Sequence, residues 1–318
     1  MSRIAFFRRH IEQYFILSSL ILLIIFFGII SNNFLTLTTF TTILNQLPSL
    51  IVVTIGMTLV LIVADIDLSV GSVLGLSAAV VGVTSVGFGL PLPFACLLGL
   101  VAGTICGLIN GFISTYFSLP SFIVTLGMLE MARGASYMTT NSQTIFIGPD
   151  IQVISLPMRH FGISPALIIS LLIVIFAYFL LERTVFGRTI VALGTNSKAA
   201  TLSGIDVKKF RLLVLASSGA LAGLGGLFNA AYLGAADPNA GTGLELSAIA
   251  AAVIGGTSLM GGRGSIIGAL AGVLIIAILQ NGLAQIGVAE PTKRLVTGAV
   301  IIIAVLIDRL KSRKNAFN

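Results

Sequence analysis

Charged residues are what this chain most lacks. Only 9% of its 318 residues are Asp, Glu, Lys or Arg, whereas hydrophobic residues make up 56% and the mean hydropathy is +1.08. A soluble domain carries about 25% charged residues. No charged side chain occurs from Gln13 to Ala64 or from Leu68 to Leu129. The composition therefore excludes a soluble fold and predicts a protein whose solvent is the lipid bilayer.

Residue types that carry enzyme chemistry are also scarce. The chain has two histidines, His10 and His160, two cysteines, Cys96 and Cys106, and no tryptophan. No spacing typical of a metal site, a disulfide or a nucleophilic centre is present. The glycine-rich stretch GTSLMGGRGS at 256–265 lacks the Gly-Lys-Ser/Thr of a P-loop. We predict no catalytic residues, no metal and no cofactor, so any ATP that drives this protein must bind to another polypeptide.

Long apolar runs take the place of charge. A helix that spans the hydrocarbon core needs about 20 mostly apolar residues, and these runs are continuous, whereas the strands of a membrane barrel alternate. We predict an all-α polytopic membrane protein with about ten transmembrane helices, some short or broken, in a single domain of residues 1–318. The expected spans fall two in 13–64, two in 68–129 with a third that begins there and runs through Glu130 and Arg133, and one each in 161–181, 212–236, 246–262, 264–289 and about 292–308.

The basic residues lie almost entirely on one side of this ten-span arrangement. Cytoplasmic loops are enriched in Lys and Arg, so that side is expected to be the cytoplasm, with both termini there. The net charge of +7 thus indicates topology, and no nucleic acid is expected as a partner. Only Arg159, Lys293 and Arg294 fall on the opposite side. The residues on the basic side are Arg3, Arg8, Arg9, Arg183, Arg188, Lys198, Lys208, Lys209, Arg211, Arg263, Arg309, Lys311, Arg313 and Lys314.

Two acids, one residue apart, interrupt the apolar sequence in ADIDLSVGS, residues 64–72. They lie between the two charge-free stretches, where the second span must end or break. A break frees backbone N–H groups at the start of the next helix, and Asp is among the best residues for capping them. We predict that Asp67 caps a helix that begins near Leu68, with Ser69 as a second acceptor. Asp65 and Asp67 are also candidates for a path through the membrane.

Five further polar residues fall inside predicted spans or at the start of one. Ionisable groups in lipid are costly and usually functional. Glu130 and Arg133 lie three residues apart on one helix face, where they either pair or line a path. Asn110 and Asn229 either join helices through hydrogen bonds or line a cavity. Glu245 opens a helix, where the helix dipole favours an acid; a contact with a solute is the alternative.

Glycines recur every four residues at 99, 103, 107 and 111, and again at 264, 268 and 272. Small faces let membrane helices approach closely, either inside one subunit or at a seam between two copies. An acid-Leu-Ser sequence also occurs twice, in 64–83 and in 243–262. The two occurrences run in opposite directions in the ten-span arrangement, which is compatible with an inverted repeat.

The longest polar segment, at about 183–211, is predicted to face the cytoplasm. Within it, Lys198, Ala199 and Ala200 form a short helical turn that Gly204 ends, because glycine is the usual residue just past a helix end. A short exposed helical turn of this kind could dock on a cytosolic partner, and we predict that the segment is a coupling loop that transmits the partner's motion to the membrane helices. The alternative is an ordinary basic loop.

Three stretches together resemble a known family: GMTLVLIVADIDLSVGSVLGLS at 56–77, ALGTNSKAATLSGIDVKKFR at 192–211, and DPNAGTGLELSAIAAAVIGGTSLMGGRGSIIGALAGV at 237–273. The chain resembles the inner-membrane permeases of bacterial ATP-binding-cassette (ABC) importers for monosaccharides, of the ribose type. The resemblance implies a multi-pass transport subunit of the bacterial inner membrane, not an enzyme, that carries a monosaccharide by alternating access. It also implies a cytoplasmic ABC ATPase subunit, a periplasmic sugar-binding protein and a second permease chain in a homodimer or heterodimer.

Two positions depart from the pattern of this family. Lys198 stands where the coupling motif carries an acid, although the Ala-Ala-x-x-x-Gly frame is kept. Asp65 stands where the family usually has glycine, which suggests a backbone position with positive φ that Asp tolerates better than most residues. We therefore expect Asp65→Gly to have little effect, and Asp67 to be the acid that matches the motif.

Other functions stay open from the sequence. An ion-coupled secondary transporter would use Asp65, Asp67 and Glu130 as ion sites, and an assembly factor would move nothing. The substrate is open as well. Ribose is the default by resemblance, and other pentoses, hexoses, inositol-like polyols and a furanosyl signalling molecule are the alternatives.

Overall fold

The structure, a computed structural model, describes residues 3–158 and 162–316, with side chains described for 16–158, 162–303, 305 and 306. Arg159 and His160 lie outside these ranges, as do the side chains of His10 and of the basic residues in both terminal segments. The helices are α1 (Arg3–Ile30), α2 (Leu37–Ile62), α3 (Val70–Gly82), α4 (Leu92–Tyr116), α5 (Ser121–Thr140), α6 (Pro149–Gln152), α7 (Pro165–Arg183), α8 (Val185–Thr195), α9 (Ser197–Leu202), α10 (Val207–Leu233), α11 (Leu244–Ile254), α12 (Ile266–Gln285) and α13 (Glu290–Ala316). Two short strands, β1 (Ile145–Phe146) and β2 (Ala235–Ala236), pair antiparallel.

Within the described part of the chain, six helices are long and apolar enough to cross a membrane: α2, α3 with its π-helical extension Val83–Gly87, α4, α7, α10 and α12. They confirm a polytopic helical membrane protein. The first, fifth and tenth predicted spans correspond to α1, α5 and α13, which contain 28, 20 and 27 residues.

The eighth predicted span, 246–262, is wrong as a continuous helix. The helix found there, α11, has 11 residues and reaches about 16 Å across a hydrocarbon core about 30 Å thick. It ends at Ile254 with Gly255 as its C-cap, and the next residue, Gly256, has a φ of +91°, a conformation that breaks a right-handed helix.

The helix α2 lies at the centre of the molecule. Of the 18 most apolar consecutive residues of α2, 83% are buried, against 28% in the corresponding stretch of α4. The helix α2 is therefore enclosed by protein, whereas much of α4 faces outward. The helices α7, α8, α10, α11 and α12 pack against α2. A single apolar cluster runs from Ile51 of α2 through Leu167 of α7 to Ile276 of α12. The core of the fold is therefore the surroundings of α2.

Glycines set the closest helix contacts. A Cβ on Gly103 of α4 would lie 2.6 Å from the carbonyl oxygen of Gly219 and from the Cα of Gly223, both in α10. A side chain there would push the two backbones apart. Gly268 and Gly272 of α12 lie in the same way against the backbone at the end of α11. Both contacts are made within the chain, which confirms the interpretation of tight packing inside one subunit.

The chain that follows α10 consists of β2, a series of turns at 238–243 and a half-helix. Residues 237–243 run back along α3, from the level of Gly82 to that of Gly71. On the way, a Cβ on Gly75 would lie 2.8 Å from the carbonyl oxygen of Ala240. The helix α11 then begins, so the N-termini of α3 and α11 meet near Gly71 and the two helices run in opposite directions. This is the relation predicted for the two acid-Leu-Ser sequences.

Candidate functional site

The segment that joins α2 to α3, residues 63–69, holds the first pair of acids, and we call it the connector. The N–H of Asp65 donates to the carbonyl of Val60, 3.1 Å away, and so closes the end of α2. The positive φ predicted for Asp65 is wrong, because the residue in that conformation is Ala64, with a φ of +63°. The chain turns one residue earlier than expected, and the Asp65 carboxylate therefore faces α10.

Asp65 forms a bidentate ion pair with Arg211 of α10. The guanidinium Nη2 lies 2.6 Å from Oδ1, and Nε lies 2.7 Å from Oδ2. The Asp65 side chain is only 5% exposed and that of Arg211 is 24% exposed. Two parallel donors match the carboxylate, a geometry that lysine does not provide. The pair ties the connector to the start of α10, and nothing in the sequence pattern distinguishes Arg211 from the basic residues around it.

The Asp67 carboxylate is buried and fully supplied with donors. Its Oδ1 accepts hydrogen bonds from the N–H of Ser69 at 3.0 Å and from the Ser69 hydroxyl at 2.6 Å, and its Oδ2 accepts from the Ser218 hydroxyl at 2.9 Å. The helix α3 begins at Val70 with Ser69 as its N-cap residue, so the start predicted near Leu68 is two residues early. Asp67 nevertheless satisfies an N–H group at the helix start, through a turn that precedes α3.

Polar side chains of α5 complete the connector. The Ser121 hydroxyl accepts from the N–H of Ile66 at 3.1 Å, and the Thr125 hydroxyl accepts from the N–H of Leu68 at 3.1 Å. The Thr125 hydroxyl also lies 3.2 Å from the carbonyl of Ile66, to which it donates. An irregular segment inside a membrane protein must have its backbone groups satisfied by protein. Sequence reasoning did not identify Ser121 or Thr125, because a single hydroxyl residue in an apolar helix carries no pattern.

The two asparagines share one feature: within the described residues, the Oδ1 atoms of Asn110 and Asn229 are both buried without a hydrogen-bond partner. The amide nitrogen of Asn110 donates to the Ser69 hydroxyl at 3.0 Å and so joins α4 to the connector. Among the described residues, no group of His, Cys, Asp or Glu side chains is placed to hold a metal ion.

The predicted coupling loop consists of α8, α9 and the turn that follows. The Asn196 side chain caps α9 by accepting from the N–H of Ala199 at 3.0 Å. Of the two alanines in the motif, Ala200 is buried and Ala199 is exposed. Gly204 has a φ of +82°, as expected for a glycine that ends a helix. The most exposed apolar residue of the loop is Leu202, at 90%, which the motif did not single out.

A cavity of about 470 Å³ separates this loop from the connector. Asp65 of the connector and Lys198 of α9 both line it, so the structure brings two predicted site residues from distant parts of the chain together. A hydrogen bond of 2.9 Å from the N–H of Gly262 to the carbonyl of Ile62 holds the loop after α11 at the same end of the molecule. The remaining lining residues include Ala64, Gly194, Thr195, Asn196 and Arg211.

The ion pair predicted between Glu130 and Arg133 is wrong. Within the described part of the chain the two residues form no ion pair, and Glu130 is exposed on α5. Arg133 instead interacts electrostatically with Glu245, in the first turn of α11. The two side chains share no hydrogen bond, and neither Arg133 Nη2 nor Glu245 Oε2, both buried, has a hydrogen-bond partner among the residues that the structure describes. The N-cap residue of α11 is Gly243, which has no side chain, and Glu245 lies in the first turn. The backbone N–H groups of Gly243 and Glu245 lie close to the Glu245 carboxylate, as expected for an acid at a helix start.

Comparison with known proteins relates this chain to transport permeases. Residues 39–305 match the family described as the branched-chain amino acid transport system / permease component. The chain is 38% identical to the ribose import permease protein RbsC of Escherichia coli (strain K12), over 93% of each chain.

Two further relatives carry other names. The fructose import permease protein FrcC of Rhizobium meliloti is 35% identical over 91% of this chain and 83% of its own length. The autoinducer 2 import system permease protein LsrC of Yersinia pseudotuberculosis serotype O:1b (strain IP 31758) is 36% identical over 88% of this chain and 80% of its own length. No solved structure matches the chain.

Proposed function

Since this chain belongs to the branched-chain amino acid transport system permease-component family, we propose that it is the membrane-spanning permease of an ABC importer for a monosaccharide or a closely related sugar-like ligand. The identity to a ribose import permease along nearly the whole chain carries this proposal. The relatives named for fructose and autoinducer 2 favour sugar-like cargo over an amino acid. The protein would be a multi-pass transport subunit of the bacterial inner membrane with no enzymatic activity of its own.

The proposed topology has ten crossings with both termini in the cytoplasm. The helices α1, α5 and α13 join the six apolar spans, and residues 237–243 with α11 make the eighth crossing. Two observations support it. The Asp65–Arg211 ion pair and the hydrogen bond from Gly262 to Ile62 gather three segments expected in the cytoplasm at one end. The strands β1 and β2, both expected outside, pair with each other.

The loop of α8 and α9 is the proposed docking site for the cytoplasmic ATPase subunit. Leu202 is an apolar side chain exposed on a polar loop, and a buried apolar anchor is a common source of affinity at an interface. Lys198 and Ala199 are exposed beside it, whereas Ala200 fixes the helix to the body of the protein. Gly204 supplies the turn. A positive charge at Lys198 calls for an acidic or neutral surface on the partner.

Coupling would pass from this loop to the connector. A shift of α9 on ATP-driven closure changes the cavity that Lys198, Asp65 and Arg211 share. Because the bidentate pair fixes Asp65 to α10, the start of α10 and the connector must then move together. Ser218, on the same helix, holds Asp67. The connector and α3 therefore follow α10 as one body, which gives the rigid-body motion that alternating access needs.

A second permease chain is the proposed neighbour of α5. Glu130 is exposed there, and Gly127 and Gly134 have open space where a Cβ would lie. A carboxylate that faced lipid in the middle of a span would be costly. The outward face of α5 is therefore better placed against another permease chain or the aqueous path between two chains. A periplasmic sugar-binding protein would deliver the monosaccharide at the opposite end from α9.

Transport in a reconstituted complex tests the proposal. The permease would be placed in liposomes with the ATPase subunit and the binding protein encoded beside it, and uptake of labelled ribose, fructose and a furanosyl signalling molecule would be measured with and without ATP. We expect ATP-dependent uptake of one of these, abolished when the ATPase subunit is inactivated in its P-loop. The permease alone is expected to bind no ATP.

Uptake by the permease alone, driven by an ion gradient, would overturn the proposal in favour of a secondary transporter. The geometry disfavours that alternative for two of its three candidate ion sites. Asp65 is neutralised by Arg211, and Asp67 is saturated by three donors.

A further inference from the structure

The place where the N-termini of α3 and α11 meet contains two polar atoms of opposite character that no protein group satisfies. Glu245 Oε2, on α11, is a hydrogen-bond acceptor. Arg133 Nη2, on α5, is a donor. Both are buried and without a hydrogen-bond partner in the described part of the chain. Buried charged groups are nearly always hydrogen-bonded, so each of these atoms calls for a partner that is not protein.

The absence of a side chain at Gly71 makes room for the Glu245 carboxylate. Gly71, in the first turn of α3, faces Glu245 Oε2 and the carbonyl oxygen of Gly241 so closely that a Cβ there would collide with both. The Glu245 side chain therefore lies across the start of α3 as well as at the start of α11. Both helix N-termini carry partial positive charge, and the Glu245 carboxylate lies where they meet.

An exposed strip of polar groups leads to these atoms. Arg133, Glu130 and Tyr137 lie on one face of α5, since they are spaced by three, four and seven residues. The Tyr137 hydroxyl donates to Oδ1 of Asn239 at 2.8 Å, which joins α5 to the turns before α11. Glu130, Asn239 and Thr242 are exposed. Such a strip is out of place against lipid and suits a hydrated path.

The chemistry of the two atoms selects a class of ligand. The negative charge of the Glu245 carboxylate repels an anion, and the positive charge of the Arg133 guanidinium repels a cation. A hydroxyl group can donate to a carboxylate and accept from a guanidinium, and a molecule with neighbouring hydroxyls can do both at once. We propose that Arg133 and Glu245 form a binding station for the hydroxyl groups of a neutral polyol, which on the proposed function is the monosaccharide in transit.

A tryptophan reporter tests this station directly, because the chain has no tryptophan. Leu246 is next to Glu245 and half exposed, so Leu246→Trp places a single indole there. The full-length variant in proteoliposomes would be titrated with ribose, ribitol and glycerol, and separately with ribose 5-phosphate and choline. We expect a saturable fluorescence change with ribose and ribitol at millimolar concentration, and none with the two ions.

Second substitutions assign the response to the two side chains. Glu245→Gln or Arg133→Met in the reporter background is expected to weaken ribose binding about tenfold or more, as the loss of a charged hydrogen bond does. Glu290→Gln is the matched control, since Glu290 is an exposed glutamate paired with Lys293 at the start of α13, and it is expected to change nothing. Folding of each variant would be checked by thermal unfolding.

The outcomes separate this inference from the proposed function. An unchanged ribose response in the Glu245→Gln reporter, or no response to any polyol, would overturn the station and leave water as the partner of both atoms. ATP-driven import by the wild-type complex would still stand in that case. Conversely, polyol binding at the reporter without ATP-dependent import would support the station and contradict the importer.

Discussion

An acid-Leu-Ser sequence opens both of the helices that meet at the centre of this protein, with different results. Before α3, the Asp67 carboxylate accepts three hydrogen bonds, and Ser69 provides two of them. At α11, Ser247 donates to the backbone carbonyl of Gly243 at 3.4 Å, and Glu245 Oε2 has no hydrogen-bond partner in the described ranges of the chain. The Asp67 carboxylate stabilises the fold, whereas the Glu245 carboxylate keeps one oxygen available for a ligand.

The difference arises partly within the repeated sequence and partly from neighbours distant from it. Ser69 donates two hydrogen bonds to Asp67 and Ser218 of α10 donates the third, while Asn110 of α4 donates to the Ser69 hydroxyl and so holds that donor in place. Glu245 faces the backbone of Gly71 and the half-buried Arg133, neither of which donates to it. The same local sequence can therefore serve stability or function, and the packing of other helices decides which. Predictions that alter the two sites in parallel test this contrast.

The largest effect is expected when each carboxylate is replaced by an apolar side chain of similar size. Asp67→Leu strands three buried donors and is expected to destabilise the protein by about 3 kcal/mol or more, so little folded protein should reach the membrane. Glu245→Met removes an unsatisfied buried charge and is expected to unfold at the same temperature as the wild type or higher. Membrane levels and thermal unfolding would be measured for both. Equal loss of folded protein in the two variants would break the contrast.

The ion pair of the connector gives the next largest effect. Asp65→Ala leaves Arg211 half buried without its carboxylate and is expected to cost about 3 kcal/mol, contrary to the small effect expected for Asp65→Gly from the sequence. The double variant Asp65→Ala with Arg211→Met is expected to recover more than half of that loss. A double-mutant cycle on thermal stability measures the coupling. Additive losses would show that the pair contributes no interaction of its own.

The sequence predicted the helical class, the membrane environment, the break between α2 and α3 and the exposed polar loop that contains α9. These follow from composition and from runs of apolar residues, which are local properties. It missed the Arg211 partner of Asp65 and paired Arg133 with Glu130. Spacing along one helix reveals which residues share a face, but it does not reveal which other helix that face meets. The short length of α11 was also hidden, because the turns that follow it, residues 255–262, contain no charged residue and so read as a continuation of the span.

A substitution in the exposed loop that contains α9 is expected to lower the affinity for the ATPase subunit moderately without loss of stability. Leu202→Asp changes a side chain that touches little of its own chain, so thermal unfolding is expected to stay the same while affinity for the ATPase subunit falls about tenfold. Ala200→Asp, two residues away and buried, is the matched control and is expected to lower stability instead. Affinity would be measured with purified ATPase subunit and permease in detergent. Normal binding by the Leu202→Asp variant would remove α9 as the docking site.

The smallest effect distinguishes the two serines of the repeated sequence. Ser69→Ala removes a donor to Asp67 and an acceptor for Asn110, both in a buried network, and is expected to cost about 1–2 kcal/mol of stability. Ser247→Ala removes only a long hydrogen bond to a backbone carbonyl, so it is expected to cost less than about 0.5 kcal/mol. Thermal unfolding of the two single variants in the same detergent gives the comparison. Because the chemical change is identical, any difference in stability reports the surroundings of each serine, and a larger loss at Ser247 than at Ser69 would reverse the assignment of the structural and the open site.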